Sequence, residues 1–202
     1  MAETKTILAS SYTGSSNFTL SNIANAYTNT SSTTYAQLTL SKKNGTSAIY
    51  FTGFDVSSIP SNATITSVSA KMRNMVSSTS YITAFTFQAY NGTTAMGSAA
   101  TARSTSATTY TLGNAGTWTR AMLDNFRLYV TGKKSNVNNT AYTRIYGIEL
   151  VVTYEVPNEQ LYIKDGGAWK TVTSVYKKAN GVWVEQTSLQ GVFDTEKNYV
   201  KG

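Results

Sequence analysis

The sequence predicts an all-β protein, a jelly-roll or β-sandwich domain followed by a small β-hairpin repeat module. Three observations carry this reading. Ser, Thr, Asn and Tyr are abundant while 13% of the 202 residues are charged and two are proline, a balance that favours pleated structure over helix. Short runs of alternating apolar and polar residues are separated by polar, turn-rich stretches. Near the end, a segment of fourteen residues, 161–174, is followed at once by a second copy, 175–188.

The main domain is expected over residues 1–156, with strands at 35–40, 48–54, 65–76, 81–90, 108–112, 126–130 and 145–156. Within 65–76, Val68, Ala70, Met72 and Val76 fall on one face, and Ser67, Ser69, Lys71 and Arg73 on the other. That is the pattern of a half-buried strand. Phe85 and Phe87 form the inward set of the next run, and Ile148, Leu150 and Val152 that of the last. The stretch around Trp118 breaks the alternation, and Thr119 can cap one short helical turn reaching Leu123.

Pro157, Asn158, Glu159 and Gln160 read as a linker to the second module, residues 157–202. Its two copies match at Tyr162 and Tyr176, Lys164 and Lys178, Gly167 and Gly181, and Trp169 and Trp183. Asp-Gly-Gly and Asn-Gly between short alternating runs signal tight hairpin turns, which require a positive φ. With Gly166-Gly167 and Asn180-Gly181 in those turns, Lys164 lies across from Trp169 and Lys178 across from Trp183, the tyrosines diagonal to the indoles. Residues 192–200 suggest a degenerate third copy, with an aromatic spacing one residue short. A two-stranded hairpin is marginal alone, so Tyr162, Lys164, Trp169, Tyr176, Lys178 and Trp183 are the residues expected to dock against another surface.

Composition also removes reaction classes. Histidine and cysteine are both absent, which excludes a Ser-His-Asp triad, a cysteine nucleophile and a zinc site of the usual kind. A glycosidase pair, two carboxylates roughly 5 to 10 Å apart, would have to come from Glu3, Asp55, Asp124, Glu149 and Glu155. Asp55 is expected to cap its own turn, Asp124 to end the short helix and Glu149 to face outward on a strand, so no catalytic residue is assigned. No dense acidic loop suggests calcium, and neither a metal nor a cofactor is expected. The formal charge of +7 divides into +6 over residues 1–155 and +1 over the rest, and its basic residues are scattered, so no nucleic acid partner is expected. The chain shows no signal peptide and no apolar run of membrane-spanning length, so neither export nor a membrane partner is expected.

Binding is the function this composition suits. Fourteen tyrosines, several in polar contexts, suggest aromatic platforms for a sugar, with Tyr90 and Asn91 at a strand end, Trp118 in its loop, and Tyr142 near Arg144 as candidate ligand residues. The opposing reading of Trp118 is that it packs beneath the short helix.

Residues 54–68, with Phe54-Asp55, Ser58-Ile59-Pro60 and Ala63-Thr64-Ile65, resemble a segment of the DNRLRE and carbohydrate-binding-module jelly rolls of bacterial cell surfaces. The Trp118 block and residues 145–154 resemble strands of phage structural proteins. Lys164-Asp165-Gly166-Gly167-Ala168-Trp169-Lys170 is similar to short repeats in head-fibre, tail-fibre and minor structural proteins of tailed phages. The resemblance implies a virion protein assembled in the host cytoplasm, a capsid decoration or head-fibre component, or a minor tail protein. Its implied partners are other capsid or tail proteins, further copies of itself (a trimer, for example), and a host or environmental glycan. The alternatives are a receptor-binding tail or baseplate adhesin and, behind it, a glycan hydrolase acting through Asp55 or Glu149.

Overall fold

The computed structural model describes residues 2–113, 115–157, 162–165, 168–171, 175–179 and 181–186. It divides into two compact units, Met1–Val156 and Pro157–Gly202. The first unit is a sandwich of two antiparallel sheets, which confirms the all-β jelly-roll class. Its strands are β1 (Ala2–Leu8), β2 (Ser11–Ser16), β3 (Phe18–Ser21), β4 (Ala36–Leu40), β5 (Thr46–Thr52), β6 (Thr64–Val76), β7 (Ile82–Asn91), β8 (Thr94–Thr101), β9 (Thr108–Leu112), β10 (Phe126–Lys134) and β11 (Ala141–Glu155).

The pairing of β4 to β11 is nested. β7 pairs with β8, β6 with β9, β5 with β10 and β4 with β11, as in one long antiparallel hairpin. Winding that hairpin brings β6 against β11 and β7 against β10, which closes the two layers. The resulting orders, β3-β4-β11-β6-β9 and β2-β5-β10-β7-β8, are those of a jelly roll extended by edge strands. β1 adds to β11 beyond the end of β4, running from Ala2 opposite Glu155 to Leu8 opposite Glu149.

Alternation places the core. Leu38, Phe51, Met72, Phe87, Val130 and Leu150 point between the sheets and are fully buried. Each such side chain contributes about 1.5–3 kcal/mol by leaving water. The inward face expected for β6 is correct at Val68, Ala70, Met72 and Val76, and it also carries Asn74. This buried amide donates to the Ala102 carbonyl at 2.9 Å, a cross-link between β6 and the chain following β8 that an apolar residue could not make.

The short helix is present as α1 (Arg120–Leu123), with the Thr119 hydroxyl accepting from the Met122 N–H. Its Arg120 donates from Nε to the Ile59 carbonyl and from Nη2 to the Val56 carbonyl, and pairs with Asp124 at 2.8 Å. The segment holding Asp55, Ile59 and Pro60 is thereby fastened to α1. Phe54 meets Phe126 edge-on at 5.0 Å, and Trp118 tilts against the same ring at 5.2 Å.

A 3-10 turn at Ile23–Tyr27 leads into a segment that crosses the face of β11. Thr28 donates its hydroxyl to the Tyr146 carbonyl and accepts at its own carbonyl from the Ile148 N–H. The crossing lies where β4 has stopped and β1 has not yet started along β11.

In the second unit, β12 (Tyr162–Asp165) pairs with β13 (Ala168–Thr171), and β14 (Val175–Ala179) with β15 (Val182–Gln186). Lys164 is opposite Trp169 and Lys178 opposite Trp183, the register expected from the repeat. Gly181 sits at φ 82, a conformation that glycine adopts without strain. The suggested third copy, 192–200, lies outside the described residues, as do Gly166, Gly167 and Asn180.

Candidate functional site

The sandwich exposes an aromatic cluster on the outer face of its five-stranded sheet. On β5, Ile49 and Phe51 point inward, so Tyr50 between them points outward; the same parity turns Tyr129 outward on β10 and Tyr90 on β7. Antiparallel register then sets Tyr129 beside Tyr50 and Arg127 beside Tyr90. Tyr50 and Tyr129 stack with ring centroids 4.4 Å apart, and Tyr90 meets both edge-on, at 5.6 Å from Tyr50 and 5.1 Å from Tyr129. The Arg127 guanidinium lies 6.0 Å from the Tyr50 ring centre. Gln88, opposite Tyr129, has its amide nitrogen fixed on the Gly97 carbonyl at 3.1 Å, leaving its oxygen as an acceptor beside the rings.

All these side chains are half-buried. Burial raises the Tyr90 phenol above its ordinary value, with the neighbouring Tyr50 adding to the effect. Burial also raises Tyr129, then Tyr50 and Tyr90 contribute. The phenols of Tyr90 and Tyr129 are therefore neutral donors and acceptors at physiological pH. The arrangement groups aromatic rings with hydroxyl, amide and guanidinium groups, a combination that can meet both the C–H and the O–H groups of a sugar.

The five ligand candidates read from the sequence do not form one site. Tyr90 belongs to the tyrosine cluster, and Asn91 follows it at the end of β7, opposite Thr94 across a two-residue turn. Tyr142 and Arg144 lie on the outer face of the other sheet, on β11. Trp118 is 4% exposed, with its indole N–H on the Ala115 carbonyl at 2.7 Å, and it packs in the core beside α1. Tyr50, Tyr129, Arg127 and Gln88 went unmarked in the sequence. Their signal was present, as large polar-tipped residues at the outward positions of otherwise apolar strands.

The carboxylates of Asp55, Asp124 and Glu149 each have a structural partner. Hydrogen bonds from Ser57 hold the Asp55 carboxyl below its usual value, its Oδ1 accepting the Ser57 N–H at 3.0 Å. Asp124 pairs with Arg120. Glu149 faces outward on β11 but is covered by the crossing segment, and its Oε1 accepts the Thr30 N–H at 2.7 Å and the Thr30 hydroxyl at 3.0 Å.

In the second unit, Val182, Trp183 and Val184 are exposed and Tyr176 is half-buried. No protein family, curated protein or solved structure matches the chain.

Proposed function

We propose that this chain is a non-enzymatic surface protein of a tailed-phage particle, whose sandwich binds a glycan and whose hairpin module attaches it to other virion subunits. The observation that carries the glycan reading is the stacked cluster of Tyr50, Tyr90 and Tyr129 with Arg127 on the solvent side of a rigid sheet. Aromatic surface placed outward on three adjacent strands is costly to solubility and does nothing for the core, so a ligand is its best explanation. The attachment reading rests on the hairpins, which are too small to stand alone and expose Val182, Trp183 and Val184.

A glycan array probed with the 202-residue chain tests the site. Tyr50→Ala and Tyr129→Ala should each weaken the strongest glycan signal by about tenfold or more, the loss typical of a central aromatic anchor. An array with no bound glycan, or binding untouched by both substitutions, would sink this reading.

A further inference from the structure

The opposite face of the sandwich carries a second group of rings, organised on a different plan. On β11 and β6, Tyr142, Arg144, Tyr146 and Arg73 point outward, and Tyr35 joins them from the residue preceding β4. The Arg144 guanidinium carbon lies 4.3 Å from the centre of the Tyr35 ring and 5.2 Å from that of Tyr142. Tyr35 meets Tyr146 edge-on at 5.6 Å, and Arg73 lies over Tyr146 at 5.1 Å. The contacts thus run from Arg73 through Tyr146 and Tyr35 to Arg144 and Tyr142.

In the five-stranded sheet three tyrosines contact one another and the guanidinium stands 6.0 Å off; here Arg73 and Arg144 lie closer over the rings, Arg144 over two of them, with a single contact between rings. That difference decides the ligand. Arg144 has one hydrogen bond, from Nε to the Gln37 Oε1 at 3.4 Å, and its two terminal nitrogens have no hydrogen-bond partner among the described residues. Arg73 spends Nη1 on the Ser32 carbonyl at 3.1 Å. The one ion pair among the described residues is that of Arg120 with Asp124, so neither Arg73 nor Arg144 is neutralised by a carboxylate there. Glu149, an acid on this face in register with Lys71, is occupied by Thr30.

We infer that the Tyr35, Tyr142 and Arg144 face is a second binding site, selective for the carboxylate or phosphate of an acid-bearing polysaccharide. The two rings and Gln37 hold the guanidinium in place, so its terminal N–H pair is oriented before the anion arrives and little freedom is lost on binding. Two parallel N–H groups match the two oxygens of a carboxylate or phosphate. The hydroxyls carried by the Tyr35 and Tyr142 rings suit neighbouring sugar hydroxyls, whereas that of Tyr146 donates to the Met75 Sδ at 3.5 Å. Single-stranded nucleic acid is disfavoured, since its bases need open ring faces for stacking and the guanidinium groups lie against these. The inference rests on the glycan-binding reading but uses a separate site, so the two can fail separately.

The test is titration calorimetry of the full chain with polygalacturonate, poly(glycerol phosphate), neutral dextran and oligo(dT), with Arg144→Gln and Arg144→Lys as variants and thermal melts as the check on folding. At least one acidic polymer should bind, and Arg144→Gln should weaken it about tenfold or more. Arg144→Lys, which keeps the charge but loses the fork, should not restore it. The two polyanions separate carboxylate from phosphate as the source of the anion. Any neutral glycan bound at the Tyr50 cluster should be unaffected by either variant. Absence of binding to both acidic polymers would overturn the inference, as would a folded Arg144→Lys protein binding like the parent, or tighter binding of oligo(dT) than of either polymer.

Discussion

A methyl group at position 147 would fall against the Asn29 carbonyl and within 2.6 Å of that of Thr28. Glycine is required there because the crossing segment touches the backbone of β11, and its φ has no part in the matter. Gly147→Ala should therefore push the segment off β11, releasing the Thr28 and Thr30 hydrogen bonds to Tyr146 and Glu149, at a cost of about 2 kcal/mol measured by urea unfolding. Single residues were unevenly legible in the sequence. Tyr90, Tyr142 and Arg144 stood out by their polar surroundings, but they lie on two different sheets. Their true neighbours Tyr50, Tyr129 and Tyr35 depend on pairing between strands far apart in the chain, which local alternation does not encode. Gly147 was unreadable for the same reason, since nothing in its own strand announces the segment that crosses it.

At the level of elements, legibility followed burial. Strands β6, β7, β10 and β11 alternate over most of their length because one face meets the opposite sheet, and the sequence showed them, although a bulge between Ile145 and Gly147 reverses the parity of β11. Strands β1, β2 and β8 are mostly exposed, rich in Ser, Thr and Ala, and are held by edge hydrogen bonds, so the apolar period that marks a strand is missing from them. The helix α1 was legible through its cap, but the task of Arg120 was not. This residue spans the Val56 and Ile59 carbonyls and Asp124 at once. Arg120→Ala should cost about 2 kcal/mol, from two charge-assisted bonds to carbonyls, and the exposed pair with Asp124 adds little. Arg120→Lys should recover little, because an ammonium cannot reach both carbonyls in the plane of a guanidinium. Denaturant midpoints of the three proteins would check this.

For the whole sandwich, the pH response follows from its buried phenols. Tyr154 is 1% exposed and donates to the Glu3 Oε2 at 2.8 Å; burial first, then this hydrogen bond and the charge of Glu3, raise its phenol. Tyr90 and Tyr129 are raised as well. The folded state therefore keeps these protons after the unfolded chain has released them. Their contribution is fully present below the unfolded value of about 10 and is lost as pH rises through the raised folded values. Melting temperatures should fall as pH climbs past about 10, and Tyr154→Phe should flatten that fall. A melting temperature constant through that range would contradict the assignment.

The nested pairing has a consequence in time. Strand β11 bonds to β1, β4 and β6, and its partners in β1 begin at Ala2, opposite Glu155. On a ribosome, which makes the chain from its amino end, β4 cannot join β11 until residues 141–145 have emerged, nor β1 complete its pairing until residue 155 has. The innermost hairpin, β7 with β8, closes early over its two-residue turn, whereas the outermost pairs close last and across the longest loops. Until then the inward faces of Leu38 and Leu40 stay open to water. The low hydrophobicity of β1 and the polar alternate positions of β4 keep the waiting strands soluble during that interval.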